Sequence, residues 1–241
     1  MSSLVVAHLY PEHLNIYADR GNMMVLRDRC LRRGIGFELI PCGPGDGTPR
    51  ADLYYLGGGQ DRDQSLVAAD LLRRAGELRA AADSGSLVLG VCGGYQMLGH
   101  RYLARDGREI PGVGLVDLET SAGESRMIGN ISIRCELDGQ ELVVVGFENH
   151  AGRTQLGPGV QPLGRVLHGN GNNGRDGGEG VLAGGVIGTY IHGPLLPKNP
   201  ALADWLIRRA LAAREGEVEL EPLDDGLAEQ ARRVALRLVE S

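Results

Sequence analysis

Cys92 stands in the run Leu87-Val88-Leu89-Gly90-Val91-Cys92-Gly93-Gly94-Tyr95-Gln96-Met97-Leu98-Gly99, where an apolar segment gives way to residues that can open a helix. The stretch before the cysteine reads as a buried strand. A nucleophile at a sharp strand-to-helix corner is lifted clear of the sheet, and glycines beside it let backbone and substrate come close. A helix that follows points the positive end of its dipole at the sulfur, which lowers the thiol pKa and favours the thiolate. A packed core cysteine is the commoner fate of this residue. The glycines and a distant histidine argue for chemistry instead. His192, in Gly188-Thr189-Tyr190-Ile191-His192-Gly193-Pro194, ends a strand-like segment and is followed by a Gly-Pro break. An imidazole there can take a thiol proton or hold it in an ion pair.

Both residues need a scaffold that brings strand ends together. Strands are expected over 4–9, 37–40, 52–56 and 87–91, with helices over 22–33 and 64–82 between them. That alternation predicts an α/β fold of three layers, a mostly parallel central sheet covered by helices on both faces. Ligand sites in such sheets lie at the C-terminal strand ends. Gly57-Gly58-Gly59 and Cys92 both fall there, so they should be neighbours in space. The middle of the chain changes character: 130–136, 141–145 and 186–191 read as strands, with Asp138-Gly139 as a hairpin turn. The glycine- and asparagine-rich tract 168–178 reads as a flexible loop, and no helix start follows it to make a phosphate cradle. Two helices, over 200–213 and 225–239, close the chain on the sheet. With no internal repeat and no linker, one domain over 1–241 is expected.

Composition narrows the function classes. The 241 residues carry a net charge of -6, which argues against a general nucleic-acid binder. No apolar run approaches the ~20 residues that span a bilayer, and the N-terminus lacks the features of a signal peptide. The four cysteines are scattered without CxxC spacing. That fits a reducing cytoplasm and offers neither a disulfide framework nor a zinc site, so no metal is expected. Lys198 is the single lysine, which excludes a GxxxxGK[ST] phosphate loop. If ATP takes part in the reaction, another chain handles it.

Three motifs in order, Gly57-Gly58-Gly59-Gln60-Asp61, Cys92-Gly93-Gly94-Tyr95-Gln96 and Tyr190-Ile191-His192-Gly193, resemble the class I glutamine amidotransferases of the cobyric-acid-synthase-like branch. Further stretches extend the likeness over nearly the whole chain: His8-Leu9-Tyr10-Pro11, Leu14-Asn15-Ile16-Tyr17, Asp19-Arg20-Gly21-Asn22, Arg126-Met127-Ile128-Gly129-Asn130 and Gly146-Phe147-Glu148-Asn149-His150. These are most similar to the GatD family, the glutaminase subunits of lipid II isoglutaminyl synthases.

The resemblance implies that Cys92 attacks the side-chain amide of L-glutamine. His192 would protonate the departing ammonia and then activate water against the thioester. Backbone N–H groups of Gly93 and of Gly58 or Gly59 would form the oxyanion hole. Gln96 would support the substrate or the nucleophile loop. Arg126 would contact the glutamine carboxylate or the partner. That partner is a MurT-like, Mur-ligase-family subunit in a heterodimer, which carries ATP and Mg and amidates the D-glutamate of the lipid II stem peptide near the inner face of the membrane. No cofactor is expected in this chain. Many class I amidotransferases place an acid two residues after the histidine, but here that position is Pro194. Either another acid in this chain, with Asp19 as one candidate, or a carboxylate from the partner would complete the triad. His150 and His8 read as structural or pocket-bordering residues. The competing readings are a glutaminase serving a corrinoid or another carboxylate, a non-catalytic subunit on the same scaffold, and a Cys-His peptidase or hydrolase.

Overall fold

The computed structural model describes residues 2–16 and 19–240. In chain order its elements are β1 (Ser3–Leu9), α1 (Arg20–Leu31), β2 (Gly36–Cys42), β3 (Leu53–Leu56), α2 (Asp61–Arg73), α3 (Ala75–Asp83), β4 (Leu87–Val91) and α4 (Gly93–Leu98). Then follow β5 (Arg101–Leu103), β6 (Glu109–Pro111), β7 (Leu118–Leu137), β8 (Gln140–Leu156), β9 (Gly164–His168), β10 (Gly178–Glu179), β11 (Val181–Ala183), β12 (Val186–Thr189), α5 (Pro200–Glu215) and α6 (Gly226–Glu240).

The first sheet runs β11-β12-β4-β3-β1-β2, and all its pairings are parallel except that of β11 with β12. Every residue of β3 and β4 is buried, which is why their sequences are unbroken apolar runs rather than alternations. Helices flank this sheet, as expected: α5 packs on β1 and β4, while α4 packs on β3, β4 and β12. The second sheet is built around the long hairpin of β7 and β8, with β5, β6, β9 and β10 added along its side. Asp138 and Gly139 turn that hairpin with φ of 51° and 76°, the two left-handed residues of a type I′ turn.

Three expectations change. The helix expected over 64–82 is two helices, broken at Arg74, whose buried guanidinium reaches Asp70, Tyr10 and the carbonyls of Gly43 and Gly47. The strand expected over 130–136 begins at Leu118: Leu118 to Ala122 pair with β8, and the pairing resumes at Met127 after the irregularity formed by 123–126. The tract expected to be a flexible loop is held by hydrogen bonds. Asn170 and Gly171 donate to the buried Glu148 carboxylate, and Asn172 exchanges bonds with Gly180 and takes one from Tyr95.

Candidate active site

Cys92 occupies the corner between β4 and α4 with φ 52° and ψ −106°, a backbone conformation that costs a branched or bulky L-residue about 1–3 kcal/mol and clusters at functional sites. The surroundings enforce it. The Cys92 N–H donates to Thr189 O at 2.8 Å and the Gly94 N–H donates to Gly57 O at 3.0 Å. A Cβ on Gly94 would lie 2.3 Å from Leu56 O, so α4 can start this close to β3 only without a side chain there. The helix has six residues, so the dipole behind the sulfur is short.

The oxyanion candidates separate. A Cβ on Gly93 would lie 2.9 Å from Gly59 N, so the backbones of Gly59 and Gly93 are in contact beside the thiol. The Gly58 N–H instead donates to Asp19 Oδ2 at 3.3 Å. The Tyr55 hydroxyl donates to Asp19 Oδ1 at 2.5 Å and accepts from Asn22. Asp19, a candidate to orient the imidazole, thus braces the glycine loop from below. Tyr17, one residue of the resembling stretch before it, lies outside the described residues.

His192 arrives from the neighbouring strand. Val91 is paired with Thr189, so Cys92 and His192 leave the sheet one and three residues beyond the same rung. The main chain of His192 exchanges two hydrogen bonds with Phe147, which ties it to β8. Burial pushes the imidazole down to about 4, with His150, Lys198 and Arg126 adding to that and Glu148 opposing it. The ring is therefore neutral at pH 7 and ready to accept a proton, but its surroundings resist the imidazolium that results.

Cys92 floors a cavity of about 670 Å³ roofed by residues of the second sheet, including Arg126, Asn149 and His150. Arg126 is exposed on its rim and donates to Asn149 Oδ1 at 2.7 Å and Asn149 O at 2.6 Å, which fixes the plane of its guanidinium. Arg62 and Arg105 line the same opening. Gln96 reaches the cavity wall within a buried chain of polar groups: it accepts from Gln64 at 3.0 Å and donates to the Tyr190 hydroxyl, which contacts Thr154. His150 stacks on Tyr190 at 3.6 Å and its Nδ1 faces Gly152 O, so it is built into the wall. His8 borders a separate, mostly apolar groove with Met23, Met24 and Phe37, and not the thiol cavity. Among the described residues no cluster of side chains could hold a metal ion.

Residues 5–200 match the CobB/CobQ-like glutamine amidotransferase domain. The chain belongs to that family. Family relatives match it nearly end to end. The GatD subunit of lipid II isoglutaminyl synthase (glutamine-hydrolysing) from Staphylococcus aureus strain N315 is 36% identical, over 98% of this chain and 96% of its own. GatD from Streptococcus pneumoniae R6 is also 36% identical, over 94% and 88%. Cobyric acid synthase from Pelotomaculum thermopropionicum is 34% identical over 86% of this chain but only 40% of its own length. Among solved structures, PurLQS from Thermotoga maritima superposes with a TM-score of 0.57 at 21% identity, covering 88% of this chain and 96% of that one. A glutamine amidotransferase crystal structure gives 0.53 at 16% identity, over 86% and 98%. The fold is that of the α/β class I amidotransferases.

Sequence reasoning missed several residues of this amidotransferase site. Gln64 carries no signal of its own, and Asn149, though it stands in a resembling stretch, matters through the Arg126 guanidinium that it orients. Glu148 was visible in its stretch, but its grip on Asn170 and Gly171 depends on a loop 22 residues away.

Proposed function

We propose that this amidotransferase is the glutaminase subunit of a lipid II isoglutaminyl synthase, supplying ammonia to a Mur-ligase-like partner. The observation that carries the reading is Cys92, held in a left-handed corner on the floor of an arginine-rimmed cavity and one strand away from a neutral His192. In this mechanism His192 takes the thiol proton and Cys92 Sγ attacks the side-chain carbonyl carbon of glutamine. The Gly59 and Gly93 N–H groups receive the oxyanion, where loss of one donor typically costs about two to three orders of magnitude. The C–N bond then breaks, and the leaving nitrogen takes the proton from His192 to depart as ammonia. Water, deprotonated by His192, hydrolyses the thioester to glutamate and restores the thiol. Arg126 binds the α-carboxylate of glutamine in a two-point contact that its plane, fixed by Asn149, already anticipates.

The third acid comes from the partner. Pro194 stands where many class I enzymes carry one, and the carboxylates of Asp19 and Glu148 are engaged with the glycine loop and with Asn170 and Gly171. Arg126, Lys198 and His150 all disfavour a positive His192, so a carboxylate brought by the partner would raise the imidazole into its working range. Glutamine hydrolysis is then coupled to assembly, which limits wasted ammonia. The partner carries ATP and Mg and activates the acceptor carboxylate, the D-glutamate of the lipid II stem peptide. The near end-to-end likeness to the GatD subunits favours this acceptor over a corrinoid, since the chain spans well under half of the cobyric acid synthase relative. No described helix is long and apolar enough to cross a membrane, and the pair would work in the cytoplasm at the inner face where lipid II is made.

The test is ammonia release from glutamine by the purified chain, with and without a MurT-like partner, beside Cys92→Ala. Release that rises strongly with the partner and disappears in the variant is expected. No release under either condition, with the thiol reduced, would overturn the reading.

A further inference from the structure

Glu179 sits at the end of β10 with no exposed surface at all. Its carboxyl reaches across from the second sheet to the last residues of β12. The Tyr190 N–H donates to Oε1 at 2.6 Å, and Thr189 Oγ1 lies 3.1 Å from both carboxyl oxygens. Thr189 Oγ1 also accepts the Ile191 N–H at 2.9 Å. One side chain therefore fixes three consecutive residues immediately before His192. It holds the catalytic corner as well, because the carbonyl of Thr189 receives the Cys92 N–H.

We propose that Glu179 is a positioning residue for the thiol–imidazole pair, setting the path of the chain from Thr189 to His192 and, through Thr189, the seat of Cys92. Among the described residues, the titratable groups that face it are Glu148 on β8, Tyr95 on α4 and Cys135 on β7, none of them a cation. Burial pushes the carboxyl up to about 8; the bonds from Tyr190 and Thr189 oppose the rise, and the Glu148 charge adds to it. At pH 7 Glu179 is thus a neutral acid that can bond both Thr189 and Tyr190. Above its pKa it becomes a buried charge on the same side of the site as the Glu148 carboxylate, and the repulsion and lost hydration pull it against the Tyr190 and Thr189 donors. The clamp therefore weakens on the alkaline side, and the reactivity of Cys92 weakens with it.

This inference rests on the glutaminase reading for its kinetic readout, so the test uses two. Glutamine hydrolysis by the assembled complex and alkylation of Cys92 by iodoacetamide in the same complex are each followed against pH for wild type, Glu179→Gln and Glu179→Ala. Glutamine as the substitute keeps an acceptor for Tyr190 N–H and cannot ionise. Wild type is expected to lose kcat with a midpoint near 8, whereas Glu179→Gln keeps its rate through that range and stays within about threefold of wild type at pH 7. Glu179→Ala, which removes the clamp, lowers kcat by about 100-fold with KM little changed, the usual effect of a small misplacement of reacting groups. The alkylation profiles of wild type and Glu179→Gln diverge at the same pH, whether or not glutamine is the substrate. Superposing profiles in both assays, or a fully active Glu179→Ala, would overturn the proposal. An absence of glutamine turnover in wild type would sink the functional reading and leave the alkylation comparison to decide this one. If Glu179→Gln does not fold, the His192 ring resonances of wild type carry the test: they shift with a midpoint near 8 if the clamp titrates, and fixed resonances overturn it.

Discussion

Replacing Gly94 by alanine tests how tightly the nucleophile corner is held. The new methyl carbon would lie 2.3 Å from Leu56 O and 2.8 Å from the Leu56 carbonyl carbon, whereas ordinary contact begins at 3.4 Å. Leu56 cannot yield, because β3 is paired on both sides, with Leu9 and Gly90 as the partners of Leu56. The start of α4 must back away instead, by roughly an ångström, and it takes Gly93 and Cys92 with it. The Gly94 N–H to Gly57 O bond, 3.0 Å long, is stretched by the same motion. Overpacking of this kind costs about 1–3 kcal/mol of stability. A displacement of that size at the reacting atoms lowers the rate by about 100-fold. Thermal unfolding and glutamine hydrolysis of the complex are the assays. Gly76→Ala is the control: it lies in α3 with nothing within 4 Å of the new methyl, so activity is unchanged and stability rises by about 0.5–1 kcal/mol. A Gly94→Ala chain with wild-type rate and melting temperature would refute the argument that close backbone approach seats Cys92.

Three further outcomes are expected. Arg126→Lys loses the planar fork that Asn149 orients, and KM for glutamine rises by about 10-fold or more while kcat changes little, read from steady-state kinetics. Tyr55→Phe removes the hydroxyl between Asp19 and Asn22 and leaves a buried carboxylate under the glycine loop, so stability falls by about 1–3 kcal/mol and kcat falls with it. Asp70 gives an acid-side signature: burial raises its carboxyl, but hydrogen bonds from Tyr10, Gly45 and Arg74 outweigh that and hold it down to about 2, against 3.8 in the unfolded chain. Its contribution is therefore complete above pH 4 and lost as pH falls toward 2, and Asp70→Asn should flatten the stability curve in that window in urea titrations.

The central sheet was legible because β3 and β4 are buried on both faces and read as unbroken apolar runs, and β1 keeps an apolar run from Leu4 to Ala7. The order of the glycine loop, the cysteine corner and the histidine was legible too, since each is a short contiguous pattern. The first half of β7 was not: Leu118 to Ala122 and Met127 to Gly129 carry mixed polar and small residues whose strand state is decided by pairing with β8 on either side of the irregularity at 123–126. The break at Arg74 was hidden because the side chain that anchors it bonds to loops far along the chain. The tract 168–178 has the composition of a flexible loop, and only the buried Glu148 and Asn172 reveal why it is fixed. Glu179 lay at the end of that glycine-rich stretch, where nothing local marks a fully buried acid.

The decisive measurement is intact-mass spectrometry of the chain, assembled with its partner and quenched in acid during turnover of glutamine. Wild type is predicted to carry a γ-glutamyl group on Cys92 that hydroxylamine removes, and Cys92→Ala to carry none and release no ammonia. Ammonia release that persists in Cys92→Ala would contradict the assignment of Cys92 as the nucleophile.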